Sequence, residues 1–147
     1  MKKMIRQLLF AFAFIITAFI MVNVSFVDAK AKVKDGTYYF SSAYTSKFKV
    51  KNNKLTIKMK GKYGKITKKG NSSFSKKKIT VKVSKKCKYY TEYFMRGTGV
   101  HGITKSKYKA VKQYVDFDRK NKARINAGLS RFVVKKGKVV KIVYFSM

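Results

Sequence analysis

Gly97-Thr98-Gly99-Val100-His101-Gly102 matches the glycine pattern that cradles a dinucleotide pyrophosphate at the start of a helix. Asp116 and Asp118 follow about 20 residues on, where the ribose ligand of such a site stands. That chemistry needs a βαβ unit in a parallel sheet, whereas the flanking strands alternate polar and apolar residues as antiparallel strands do. The motif is therefore read as backbone N–H groups ahead of an expected helix, able with Arg96 to hold one phosphate. His101 and Cys87, the one histidine and the one cysteine, are the residue types of a nucleophilic pair, but no third residue orients them. Asp116-Phe117-Asp118 with Asn121 is a fragment of a calcium loop without the glycine or the distal glutamate. Lys112, Arg119 and Lys120 around it repel a cation and make the two acids simple charge partners. Glu92 with either aspartate has the types of a glycosidase pair, yet the few carboxylates form no visible constellation. The expectation is a protein without catalysis, cofactor or metal.

The lysines carry the stronger signal. The 147 residues hold 37 Lys+Arg against 5 Asp+Glu, a formal net charge of +32. Codon bias can favour lysine over arginine, but the same bias does not suppress glutamate. Self-repulsion on this scale opposes the compact state, and an anionic partner offsets it. Lysine is a point charge rather than a bidentate fork, which suits a repeating polyanion better than one stereospecific ligand.

The N-terminus sets the compartment. Lys2, Lys3 and Arg6 form a basic start, and Leu8 to Val22 is apolar except for Thr17. Val27-Asp28-Ala29 and Ala29-Lys30-Ala31 are small-residue cleavage sites, so residues 1–29 read as a secretory signal. The working chain is then a single domain, 30–147, and membrane contact is confined to the signal segment. The alternative is an uncleaved anchor, since Leu8 to Val27 is long enough to span. One cysteine excludes an internal disulfide framework and fits a host that does without disulfides outside the cell. Exposed between Lys86 and Lys88, the Cys87 thiol is expected to have a lowered pKa; as a half-buried strand residue it is inert.

The elements that position these groups are mainly strands. Lys47 to Lys51 alternates, Asn52-Asn53 turns, and Lys54 to Lys60 alternates again, which places Val50 opposite Leu55 and Phe48 opposite Ile57. The other face then sets Lys51 against Lys54 and Lys47 against Lys58, a destabilising arrangement. Lys78 to Val83 repeats the alternation, and Thr37 to Phe40 and Tyr89 to Met95 read as further strands. Thr104 is the expected cap of a helix over Lys105 to Val115, with Tyr108, Val111 and Val115 on one face. Asp116 to Gly128 reads as a polar connection that can hold another helical turn. Arg131 to Val134, a Lys136-Gly137 turn and Val139 to Phe145 make a second, central hairpin whose sequence resembles the first. The fold class is α+β and β-rich: six or seven strands, mainly antiparallel, as a sheet or small partly open barrel of hairpins with one helix packed on it. The tyrosines exceed what alternation needs inside, so some belong at the surface.

The export signal, the Asp35-Gly36-Thr37-Tyr38 start, the lysine-alternating hairpins and the Val134-Lys135-Lys136-Gly137-Lys138-Val139 end resemble small, uncharacterised secreted basic proteins of Gram-positive bacteria. The resemblance implies a compartment and a fold class, not an activity. The expected function is a secreted module, associated with the cell wall, that binds polyanions: teichoic acid, acidic polysaccharide or nucleic acid without sequence preference. Lys47, Lys49, Lys51, Lys54, Lys58, Lys60 and Lys82 form its expected basic face, Arg96 adds the loop site, and Tyr63, Tyr89 and Tyr90 are candidate sugar or base platforms. The rival expectations are a cationic effector acting on envelopes and an accessory subunit with an acidic protein partner.

Overall fold

In the computed structural model, Asn52 and Asn53 hold φ of 50° and 54°, the paired left-handed conformation of a two-residue hairpin turn whose twist matches its strands. They join two antiparallel strands whose register is the expected one: Val50 faces Leu55, Phe48 faces Ile57, Lys51 faces Lys54 and Lys47 faces Lys58. The structure describes residues 32–121 and 128–146. The expected signal segment and both cleavage sites lie outside the described residues, as does 122–127 of the expected connection.

The strands are β1 (Gly36–Phe40), β2 (Thr45–Lys51), β3 (Lys54–Met59), β4 (Ile66–Lys68), β5 (Asn71–Lys76), β6 (Lys78–Met95), β7 (Val100–Ser106), β8 (Ser130–Lys135) and β9 (Lys138–Ser146). One helix, α1 (Tyr108–Lys120), follows β7. The strands form one mixed sheet in the order β2-β3-β6-β9-β8-β1-β4-β5, with β7 paired to β6. The sheet curls as a half-barrel with the helix packed on it, a β-rich α+β fold within the compact unit Val33–Met147.

Among the described residues nine strands replace the expected six or seven. The additional pair, β4 and β5, is short and serine-rich in its second strand, so apolar alternation does not reveal it; Gly70, at φ +71°, turns the chain between them. The expected strand at Tyr89–Met95 is the far half of the 18-residue β6. The helix also begins later than expected. Thr104 and Lys105 belong to β7, opposite Thr91 and Tyr90, and α1 starts after Lys107 with no side-chain cap. It then runs through Asp116 to Lys120, so the expected connection opens with a further helical turn. Lys112 and Arg119 pair with Asp116 along the helix, and Arg119 and Lys120 complement the negative end of its dipole.

The core lies between the helix and the concave face. Leu55, Ile57, Phe132, Val139 and Val111 are fully buried, and Val111 and Val115 share the helix face with Tyr108, as the spacing predicts. Aromatic rings do the work of the missing tryptophan: Tyr38 stacks on Phe132 at 5.1 Å and Phe40 on Phe48 at 5.8 Å. Tyr63, Tyr93 and Tyr114 are exposed, in line with the surplus of tyrosines.

Candidate functional site

The two similar hairpins meet β6 from opposite directions. β3 runs antiparallel to β6 from Lys82 back to Lys78, whereas β9 leaves Lys82 in parallel towards Tyr93. Both turns consequently stand at the level of Lys82, and Val83 N–H donates to the Asn53 carbonyl at 2.7 Å to fix the first of them. The lysines flanking each turn fall into one row. Lys51, Lys54, Lys82, Lys138 and Lys135 stand directly opposite one another across five adjacent strands. Neighbouring strands are about 4.8 Å apart, so the row spans on the order of 20 Å.

A second row, Lys47-Lys58-Lys78, crosses β2, β3 and β6 at their other end. Lys49, Thr56 and Thr80 lie between the rows, with the two threonine hydroxyls 3.5 Å apart. All nine lysines are exposed, because each alternates with an inward residue such as Phe48, Leu55, Ile57, Ile79, Val81 or Val139. No acidic residue occurs in β2, in β3 or in Lys78–Val83.

The four described carboxylates all have partners, and Asp35 stands beside the five-lysine row, at the turn between Lys135 and Lys138. Asp35 accepts the N–H groups of Lys136 and Gly137 at 2.7 and 2.9 Å, which holds the second turn. Asp116 pairs with Lys112 and Arg119. Asp118 is buried and accepts hydrogen bonds from the Ser42 hydroxyl and from Tyr144 Oη, the latter at 3.1 Å. Burial pushes its pKa up, and the two hydroxyl donors pull against that shift. Its own burial, and then the neighbouring Asp118 carboxylate, push the Tyr144 phenol up. Glu92 is also buried; it binds Arg131 and lies 2.7 Å from His101 Nε2. Burial alone raises a carboxyl pKa, but the Arg131 and His101 hydrogen bonds and charges outweigh it and hold Glu92 below its ordinary value.

These placements rearrange the sequence-based candidates. Lys47, Lys49, Lys51, Lys54, Lys58 and Lys82 do share one face, as expected. Lys60 stands just beyond β3, half-buried and engaged by contacts of its own at the margin of that face. Arg96 is exposed at the turn of the β6–β7 hairpin, 14 positions along from Lys82 and thus on the order of 40 Å away in an extended strand. The loop reading for Arg96 needs correction: Gly97–Gly99 turn one strand into another, and no helix begins there. His101 is bonded to Glu92, and Cys87 stands half-buried against the core, where burial raises its thiol pKa. Of the tyrosine platforms, Tyr89 packs inward against Tyr108, its phenol pushed up to about 12 by burial, while Tyr90 carries the Lys141 ammonium 4.7 Å over its ring. Tyr63 remains openly exposed, with Lys62 beside it.

Three lysines of the rows escape sequence reasoning: Lys78, Lys135 and Lys138. Lys78 begins an alternating run that already flags it. The other two join the face only through the parallel pairing of β6 with β9. Compared with protein-family models, curated proteins and solved structures, the chain matches none. The functional reading therefore rests on the geometry and charge of this face.

Proposed function

We propose that this chain is an exported, wall-associated binding module that holds linear polyanions on the lysine rows without catalysing a reaction. The observation that carries this reading is the five-lysine row Lys51-Lys54-Lys82-Lys138-Lys135, beside which Asp35 is taken up by the Lys136 and Gly137 N–H groups of the second turn. Like charges directly opposite destabilise a sheet, so the rows work against the fold that displays them. A polymer carrying phosphate or carboxylate groups offsets that repulsion and releases counterions as it binds. Exposed ammonium groups on flexible stems adapt to irregular spacing, which favours teichoic acid, acidic polysaccharide or nucleic acid as a class over one base sequence or sugar.

The test is binding of the protein to isolated Gram-positive walls before and after teichoic acid is stripped. Strong binding to intact walls, weak binding to stripped walls, and loss of both in Lys54→Gln/Lys82→Gln/Lys138→Gln support the proposal. Equal binding by that variant removes the row from it. Recovery of one acidic protein in place of wall polymer assigns the chain to an accessory role instead.

A further inference from the structure

We propose that the tip of the β6–β7 hairpin is a docking wedge for an anionic lipid bilayer, a second site separate from the lysine rows. Among the described residues β9 reaches Ser146, opposite Tyr93, and Phe94 to His101 continue past it as a two-stranded arm. Three to four residues per strand project by on the order of 10 Å. Phe94, Met95 and Val100 are 37%, 53% and 45% exposed on this arm, and Ile103, at its root opposite Glu92, is 48% exposed. Met95 and Val100 face each other across it, and Tyr93 lies over Gly102, where a side chain would collide with its ring. Apolar groups gathered at one protruding point mark a contact site rather than ordinary surface scatter.

Charge selects the occupant. Arg96 stands at the tip, and Lys88, Lys105 and Lys107 are exposed at the base, while no acidic residue occurs between Tyr93 and Val115. A second copy of the chain would bring a formal +32 against +32, which opposes pairing of two arms. Anionic headgroups attract the same collar while their acyl boundary accepts the apolar tip, and Arg96 reaches back to the headgroups as long basic side chains do. The depth is also bounded. Among the described residues β7 pairs only with β6, so its outer backbone groups need water or headgroups and cannot enter hydrocarbon cheaply. The arm therefore seats in the interface, where apolar elements sink by about 5–10 Å. This places lipid contact in the folded domain, whereas the sequence confines its expectation to the N-terminal segment.

The protein has no tryptophan, so Val100→Trp in the full chain reports on the arm alone, whatever other segments do. With phosphatidylglycerol vesicles its emission is expected to shift to the blue and to be quenched by bromines near the top of the acyl chains. Tyr63→Trp, on a separate exposed loop, is expected to stay unshifted, and phosphatidylcholine vesicles to leave Val100→Trp unshifted. Adding Met95→Asp to Val100→Trp is expected to abolish the shift, with Met95→Ser, at the same exposed position, reducing it. No shift with phosphatidylglycerol overturns the proposal, as does an equal shift with phosphatidylcholine or an equal shift of Tyr63→Trp. A shift that grows with protein concentration in buffer alone assigns the arm to a second copy and also overturns it.

Discussion

Lys82 and Lys138 face each other directly across β6 and β9, the one parallel pair among the described strands. They are 56 positions apart, and their juxtaposition turns two local hairpins into one continuous basic row. If that row binds polyanions through charge, affinity falls steeply with salt. With duplex DNA as a test polymer, each engaged lysine contributes about −0.9 to the slope of log K against log salt, so five to eight give roughly −4 to −7. Lys82→Gln/Lys138→Gln reduces the slope by about two, and Arg96→Gln, far out on the arm, leaves it unchanged. A salt titration on teichoic acid, heparin and mixed-sequence DNA checks this. Binding that persists into high salt sinks the mechanism.

The first hairpin separates inside from outside. Ile57 is fully buried opposite Phe48, and Ile57→Asp places an unpaired charge there, with an expected loss of at least about 4 kcal/mol. Lys58, exposed between Lys47 and Lys78, has the opposite expectation. Lys58→Glu relieves two like-charge neighbours and leaves thermal stability equal or a few degrees higher. Equal losses from the two substitutions would contradict the register.

How much of this was legible follows from which contacts are local. The β2–β3 hairpin could be read because strict alternation and a two-residue turn fix register within 14 residues, and the face of Lys47, Lys49, Lys51, Lys54 and Lys58 came with it. Lys135 and Lys138 could be read only as turn-flanking residues, since no local pattern announces a parallel partner. The β7 strand hid behind its own glycines and behind Thr104, whose side chain suits a helix cap. Pairing with β6 through Ser106 overrides that preference. Asn71-Ser72-Ser73-Phe74-Ser75 lacks the apolar alternation of a strand and forms one because Ile66–Lys68 pairs with it beside β1. His101 and Glu92 are nine positions apart on different strands, and only the hairpin geometry makes them partners.

Glu92 gives the acid side of the stability profile a definite sign. Its folded pKa is held below the ordinary glutamate value of about 4.3, so its contribution is complete above that pH and fades as pH falls through the lowered value. Glu92→Gln removes this limb, which urea unfolding at stepped pH values measures. Arg131→Leu strands a buried carboxylate with His101 alone and costs about 2–4 kcal/mol at neutral pH. If Arg131→Leu is neutral there, the pair does not hold β8 to β6.

The α1 helix is tied to the outermost β2 strand by Tyr108, whose phenolic oxygen accepts the Val50 N–H at 2.9 Å. This bond occupies a backbone donor on the sheet edge. Tyr108→Phe keeps the ring against Phe48 and removes only the acceptor, with an expected cost of about 1 kcal/mol. Faster amide exchange at Val50, read by NMR, distinguishes loss of that bond from a general weakening of the helix.

Asp118 behaves in the opposite sense to Glu92. Burial raises its pKa in the folded state, so the native protein binds this proton more tightly than the unfolded chain. Its contribution to stability is complete below the ordinary aspartate value of about 3.9 and is lost as pH rises through the raised one. At neutral pH the ionised group is a burden that the Ser42 and Tyr144 hydroxyls relieve. Asp118→Asn keeps an acceptor for one hydroxyl and offers a donor to the other, without the charge. It is expected to match or slightly exceed the parent stability at pH 7 and to lose the parent's gain on acidification. Asp118→Ala leaves two buried hydroxyls without their acceptor and costs about 2–3 kcal/mol at pH 7, and more at pH 4, where the parent gains from its proton. Denaturant midpoints of both variants at pH 4 and pH 7 check the assignment, and a large loss for Asp118→Asn at pH 7 would show that the carboxylate charge, rather than its hydrogen bonds, holds the helix to β9.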